Sequence, residues 1–476
     1  MDSFLFDSVQ RDFCEKSFFS FVKTFWGVII KEEPVYNWHI EYLCDELQRI
    51  SKNIVERKPK EYDLIINIPP GTTKSTICTI MFPVWLWVLD DTIRVITNSY
   101  SMDLSIEQST KSRDIIFSDK FKRLFPKVKL RKDKSAKSNY ENENGGARYT
   151  TSTGSTITGK HAHLVISDDP LNPAQSSSKA DRFTANEHTK TLSSRKVDKE
   201  NTPTLTIMQR LHEEDVTGYL LSKKSESVRH ICLPAEISEE VKPKELKEKY
   251  VNGLLDVNRL SEKVLAEAKR DLGSYGYANQ YSQKSAPPEG GVLKRNWFEV
   301  IDWMERFNNL VWHTAIDSAY SATENNDESG YLQFAVFNND LLIRYANGYY
   351  LEFPELVKHT ISFSSLHGYS HKSMIYVEPK ASGKSLVQTL KRNTTLNVKE
   401  DTPPFKDKEA RVNDITPICE ARRVKLIRGV WNEQFISQMI TFPNSSQDGQ
   451  VDCLVMAINN TLKISRTKQN KTGVFY

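Results

Sequence analysis

Lys74 and Ser75 stand near the end of the stretch "LIINIPPGTTKST", which begins at Leu64, and they fill the last two positions of the phosphate-loop signature G-x-x-x-x-G-K-[ST]. A lysine at this place reaches the outer phosphates of a nucleotide, and a serine hydroxyl ligates Mg²⁺. Backbone N–H groups at the start of the following helix attract the phosphates themselves. The loop so defined is Gly71, Thr72, Thr73, Lys74, Ser75 and Thr76. The match is partial, because Thr73 stands where the second glycine belongs and Ile68 where the first does. A Thr/Ser-rich turn that only caps a helix would carry the same residues.

A phosphate loop needs an acidic partner at the end of a neighbouring strand, and "HLVISDDP" supplies one. Four strand residues lead into Asp168 and Asp169, and Pro170 then stops the ladder. The first carboxylate of such a pair holds Mg²⁺ and the second orients and deprotonates an attacking water. Further on, "TLTIMQRLHEED" ends another strand with Gln209 and Arg210, placed to face the γ-phosphate and sense hydrolysis. His212 reads as a surface histidine.

A second group of acids sits far down the chain. Asp317 closes "VWHTAID", Glu378 closes "SMIYVE", and "SQDGQVDCLVMAI" puts Asp448 and Asp452 one helical turn apart. Converging carboxylates without a paired lysine or arginine close in sequence repel one another, and two divalent metals relieve the repulsion. Such a metal pair activates water and stabilises the leaving oxygen in phosphodiester cleavage. An all-oxygen site suits Mg²⁺ or Mn²⁺ rather than zinc. The bland alternative is a set of helix caps and surface acids, which Asp448 alone would fit. Asp327, in the loop "NNDESG", is a further candidate at the rim.

The elements that must position these residues follow from hydrophobic pattern. "DLIINI", "IRVITNS", "HLVIS" and "TPTLTIM" alternate with helical segments and predict a mainly parallel sheet with helices on both faces, whose ligands gather at the carboxyl ends of the strands. Residues 1–60 read as a helical N-terminal segment, 61–221 as the core, 222–290 as a charged helical lid or linker, and 291–476 as a second α/β unit. In that unit "YLQFAVFNNDLLIRYANGYY" is a hairpin turning at Asn338-Asn339-Asp340. The chain has 476 residues, 38% hydrophobic and 26% charged, enough for several domains. It has no run of about 20 apolar residues that would cross a membrane. The six dispersed cysteines fit reduced buried thiols, as in a cytoplasmic protein. Net charge is only +4, but "KFKRLFPKVKLRKDKSAK" holds nine basic residues against one acid, a solvated loop or a phosphate-contacting surface.

Taken in order, "PPGTTKS", "GSTITGKHAHLVISDDPLNP", "TLTIMQRLHEEDVTGYLL", "YANQYSQKSAPPEGGVLKRNWF" and "TAIDSAYSAT" resemble the large terminase subunits of tailed bacteriophages over about residues 38–460. The resemblance implies an α/β P-loop NTPase of the additional-strand, acid-catalysed type, followed by a ribonuclease-H-like nuclease. It implies a motor that hydrolyses ATP with Mg²⁺, translocates double-stranded DNA into a procapsid, and cuts concatemeric DNA with Mg²⁺ or Mn²⁺. Its partners would be a portal ring, a small terminase subunit and further copies of itself in a ring, in the host cytoplasm. Residues near Trp38 and His39 would lie by the adenine. Relatives often end on D-D-x-V-D, whereas this chain has Gly449 at the middle acid; of the two acids that remain, Asp448 is the first choice for the nuclease site and Asp452 the reserve. Two rival readings remain: a helicase-like repair ATPase with structural C-terminal acids, and a non-enzymatic DNA-binding assembly protein.

Overall fold

The computed structural model describes residues 3–285, 292–319, 328–380, 382–403, 407–443 and 449–469. They divide into two compact units, residues 1–269 with 274–287, and residues 270–273 with 288–476.

The first unit is built on eight strands. These are β1 (Asp63–Asn67), β2 (Arg94–Ser99), β3 (Leu130–Ser135), β4 (Asn139–Asn142), β5 (Ala147–Ser152), β6 (Leu164–Asp168), β7 (Thr204–Met208) and β8 (Val228–Cys232). Their order is β3-β4-β5-β2-β6-β7-β1-β8. All pairs from β5 to β8 in that order are parallel; at the other edge β4 is reversed, antiparallel to both β5 and β3. Every residue of β1 and β6 is buried, as continuous apolar runs in a sheet covered on both faces require. Because β7 lies between β1 and β6, this is the additional-strand arrangement of P-loop NTPases.

An aromatic core anchors the element after the phosphate loop. Phe18 packs on Phe82 and Trp85 with ring centroids 5.4 and 5.0 Å apart, and Phe25 packs on Phe121 at 5.6 Å. Phe18, Phe21 and Phe25 have no exposed surface, and burying each contributes roughly 2–3 kcal/mol. The helical N-terminal segment thus clamps the helix Phe82–Leu89.

Two features of this unit differ from the sequence expectation. The segment after Ser222 is not wholly helical: β8 adds to the edge of the sheet parallel to β1, and "KELKEK" forms only a 3-10 turn before the helix Glu262–Gln280. The motif "VRHIC" is too short and too polar to announce a strand. The basic run is likewise structured, split between the helix Asp119–Leu124 and strand β3. Part of its charge is met by Asp133 and Glu141, which pair with Arg131 and Lys134 at 2.7 and 2.8 Å.

The second unit holds β9 (Glu299–Ile301), β10 (His313–Asp317), β11 (Ser329–Phe337), β12 (Asp340–Tyr349), β13 (Ile375–Val377), β14 (Val398–Glu400) and β15 (Val424–Ile427). Their order is β14-β13-β10-β11-β12-β15-β9. β11 is antiparallel to β10 and to its hairpin partner β12, and the hairpin turn places Asn338 and Asn339 in the left-handed region, φ 49° and 67°. Asparagine tolerates that conformation, as the two-residue loop demands. The other pairings are parallel. The helix Gly449–Gln469 packs across the hairpin side, with Cys453 Sγ 3.5 Å from the Ala315 carbonyl and 3.3 Å from that of Gly330. All six cysteines are buried free thiols. No helix among the described residues is long and apolar enough to cross a membrane.

Candidate functional site

At the carboxyl end of β1 the chain turns through Gly71 at φ 75° and Thr73 at φ 63°. A left-handed backbone suits glycine but strains a β-branched residue, by roughly 1–2 kcal/mol. Thr73 therefore keeps the geometry that the missing glycine would have taken freely. Beyond Ser75 the chain enters a π-helical turn, Thr76–Met81, a departure that concentrates at functional sites.

That turn and β6 meet at Asp168, which has no exposed surface. Ser75 Oγ donates to Asp168 Oδ1 at 3.0 Å, and Thr79 Oγ1 donates to Oδ2 at 2.7 Å. A third donor arrives from the helix Met102–Phe117, where Gln108 Nε2 lies 2.8 Å from the same Oδ2. Burial, and then the negative Asp169, push the Asp168 carboxyl up to about 6 against the opposing pull of Lys74, Thr79 and Ser75. Asp169 leaves the strand with φ 44° and pairs with Lys74 Nζ at 3.1 Å. Lysine, serine and both aspartates of the sequence reading thus converge.

Other expected residues take less direct positions. Gln209 follows β7 and is buried, and its side-chain oxygen makes no hydrogen bond within the protein. Such an orphaned acceptor beside a phosphate loop fits a ligand. Arg210 is instead held by its own loop: its Nε lies 3.0 and 3.2 Å from the two oxygens of fully buried Asp215, and its backbone N–H donates to Gln283 at 2.9 Å. His212 is half-buried and donates its backbone N–H to the same Asp215. His39 lies beneath the loop, Nε2 3.2 Å from the Thr72 carbonyl, with Nδ1 2.7 Å from Asn37. Burial holds the His39 imidazole down to about 4, so it is neutral at pH 7. Trp38 packs by Tyr250 at 5.7 Å.

In the second unit, β10 and β13 run parallel with Ile316 beside Val377, so Asp317 and Glu378 emerge side by side at one end. Asp452 joins them from the first turn of the helix Gly449–Gln469. Asp317, Glu378 and Asp452 each offer an oxygen within 4.8 Å of the others. Asp448 and Asp327 lie outside the described residues. A donor set of carboxylate oxygens drawn from three elements fits a hard divalent cation. Gly449, at the middle acid of the family pattern, has a local reason: a Cβ there would stand 3.1 Å from the Glu328 carbonyl oxygen and 3.3 Å from Gly330 N. Close approach of helix and strand leaves little room for a side chain.

Contrary to the expectation of unneutralised acids, basic side chains meet them. Lys408 Nζ lies 2.6 Å from Asp452, Arg411 reaches Asp452 at 3.2 Å and Glu378 at 3.6 Å, and Lys380 sits 2.6 Å from Glu378. Lys380 follows Glu378 closely in "VEPK", so that partner stood in plain view. Lys408 and Arg411 are near only in space, which is why local reading passes over them. Their spacing in "KEAR" was the available signal, one helical turn apart. Desolvation raises the Asp452 carboxyl, and Lys408 and Arg411 pull it back. Thr79 and Gln108 were missed for a similar reason: hydroxyl and amide groups on helices carry no motif.

Fold and site together define a class: a chain pairing a P-loop NTPase sheet with an acidic, ribonuclease-H-like α/β unit. Comparison with known proteins narrows it. Residues 369–461, spanning Glu378 to Asp452, match the family model of the terminase RNaseH-like domain. The large terminase of a thermophilic bacteriophage, in complex with ADP, aligns with a TM-score of 0.51 at 11% identity, over 88% of this chain and 99% of that one. Another crystal form of the same phage terminase gives 0.51 at 9% identity, over 88% and 98%. No curated protein matches in sequence. The chain has the large terminase fold, and the resemblance drawn from its motifs holds.

Proposed function

We propose that this protein is a DNA-packaging motor that hydrolyses ATP to move double-stranded DNA into a procapsid and cuts that DNA with a metal-dependent nuclease. The observation that carries the reading is the pairing, in one chain, of Lys74 and Ser75 against Asp169 and Asp168 with a separate convergence of Asp317, Glu378 and Asp452. The ADP held by the similar phage terminase supports a nucleotide at the first site.

Lys74 leaves Asp169 to bind the β- and γ-phosphates, and the freed Asp169 takes the proton of the attacking water. Ser75 and Asp168 would hold Mg²⁺, which would supply charge neutralisation at the phosphates. Gln209, with its unused oxygen, orients the water, and Arg210 fixes the loop that carries Gln209. In the nuclease, Asp317, Glu378 and Asp452 would hold Mg²⁺ or Mn²⁺, which would supply water activation and charge neutralisation for phosphodiester cleavage. DNA is held through its phosphates, so binding weakens steeply with salt. By fold analogy the partners are a portal ring, a small terminase subunit and a procapsid, met by a ring of copies.

Two assays test the reading. ATP hydrolysis should fall roughly a hundredfold or more in Lys74→Ala and in Asp169→Asn. Cleavage of plasmid DNA with Mn²⁺ should vanish in Asp452→Asn and Glu378→Gln. Equal ATPase in all chains would support a non-enzymatic assembly protein, and absent cleavage by the parent would support a repair ATPase with structural acids.

A further inference from the structure

The acids of the second unit are matched by cations of the chain itself. Among the described residues, Lys380, Lys408 and Arg411 pair with Glu378 and Asp452, so the three-acid cluster that also includes Asp317 faces three cations without metal. A divalent ion entering such a site adds two positive charges to a balanced cluster, and some resident cation must leave.

Lys380, on Glu378, is 63% exposed and already solvated, whereas the two cations on Asp452 differ in how easily they leave. Arg411 is nearly buried, its side chain 5% exposed, and its planar fork bridges Asp452 and Glu378. Withdrawing it would take one of two cations from each of two buried carboxylates, an unfavourable change. Lys408 is 24% exposed and ends a flexible stem, so its ammonium group can turn from Asp452 toward water at little cost. Both stand on the short helix Lys408–Asn413, N-capped by Asp407 through the Ala410 N–H at 2.8 Å.

We propose that Lys408 is a displaceable competitor for the metal, and that Arg411 is a fixed positioning residue that spaces Glu378 and Asp452. Lys408 gives up Asp452 when a divalent cation binds; Arg411 stays. The consequence is a nuclease that loads metal weakly, a restraint suited to an enzyme that must hold DNA without cutting it. The inference rests on the nuclease reading above.

Mn²⁺ binding to the full chain, without nucleotide, tests it by electron paramagnetic resonance and by metal-induced thermal shift. The relevant signal is the part that Asp452→Asn removes. Lys408→Met should bind Mn²⁺ about tenfold more tightly than the parent, since an ammonium ion within ion-pair distance shifts a carboxylate's cation affinity by at least that factor. Lys408→Arg should stay within about twofold of the parent. Arg411→Met should lower the melting temperature in EDTA, with excess Mn²⁺ restoring more of it than the same Mn²⁺ adds to the parent. Unchanged or weaker Mn²⁺ binding by Lys408→Met overturns the competitor role. An EDTA melting temperature equal to the parent's in Arg411→Met overturns the positioning role. A parent with no Asp452-dependent Mn²⁺ signal defeats the nuclease reading itself, and is distinguished by that control.

Discussion

Gly330→Ala should disable the nuclease site by a steric route that leaves every acid in place. Gly330 lies on β11 opposite Asp317 of β10. A Cβ on Gly330 would stand 2.6 Å from the carbonyl carbon of Gly449 and 2.7 Å from its oxygen, at the start of the helix that carries Asp452. Ordinary contact begins near 3.4 Å, so strand and helix must part by about 0.8 Å. Both obstacles are backbone, so no side-chain rotation relieves the clash.

Overpacking of this kind costs about 1–3 kcal/mol. The functional effect is larger, because a constellation must hold to about 0.5 Å and a misplacement near 1 Å costs on the order of 100-fold. Mn²⁺-dependent plasmid cleavage should therefore fall roughly 10- to 100-fold in a chain that still hydrolyses ATP, which serves as the folding control for the first unit. Gly449→Ala provides the graded comparison. Its Cβ meets the Glu328 oxygen at 3.1 Å, Gly330 N at 3.3 Å and Gly330 Cα at 3.5 Å, contacts that a shift of a few tenths of an ångström relieves. It should be the milder variant in both melting temperature and cleavage. Parent-like cleavage by Gly330→Ala, or a Gly449→Ala variant hit as hard, would refute the idea that helix–strand approach sets these glycines.

Other consequences concern the first unit. Thr79→Val removes one donor to the buried Asp168 and Gln108→Met removes another; each should cost about 1–3 kcal/mol and raise the Mg²⁺ concentration that half-saturates ATP hydrolysis. Thr73→Gly relieves a left-handed threonine, and the gain should exceed the entropy of glycine by about 0.5–1 kcal/mol, read as a higher melting temperature in the absence of nucleotide. His39 is held at about 4 in the fold against 6.5 unfolded, so its contribution is intact above pH 6.5 and is lost as pH falls toward 4. Between pH 7 and pH 5 the parent should lose about 2 kcal/mol more than His39→Gln in urea unfolding, and parallel pH curves would refute this.

How much of this was legible beforehand follows from what makes each feature. Strands β1, β2, β6 and β7 announce themselves because a sheet covered on both faces demands unbroken apolar runs. The strand-end acids are legible for the same reason: Asp168, Asp317 and Glu378 each interrupt such a run at its carboxyl end. Asn338-Asn339 marks its turn through backbone chemistry alone. By contrast β8, β14 and β15 are short and carry charged residues, so their pairing rather than their composition makes them strands. Lys408, Arg411, Thr79 and Gln108 act only through partners far away in sequence, and no local pattern encodes such a partnership. Gly449 shows the same limit from the other side: the sequence displays a missing acid, while the chain displays a helix start and a strand in close approach. Motifs therefore name the acids and the phosphate-loop residues, and tertiary contact alone names the groups that hold them in place, Gln108 on Asp168 and Lys408 and Arg411 on Asp452.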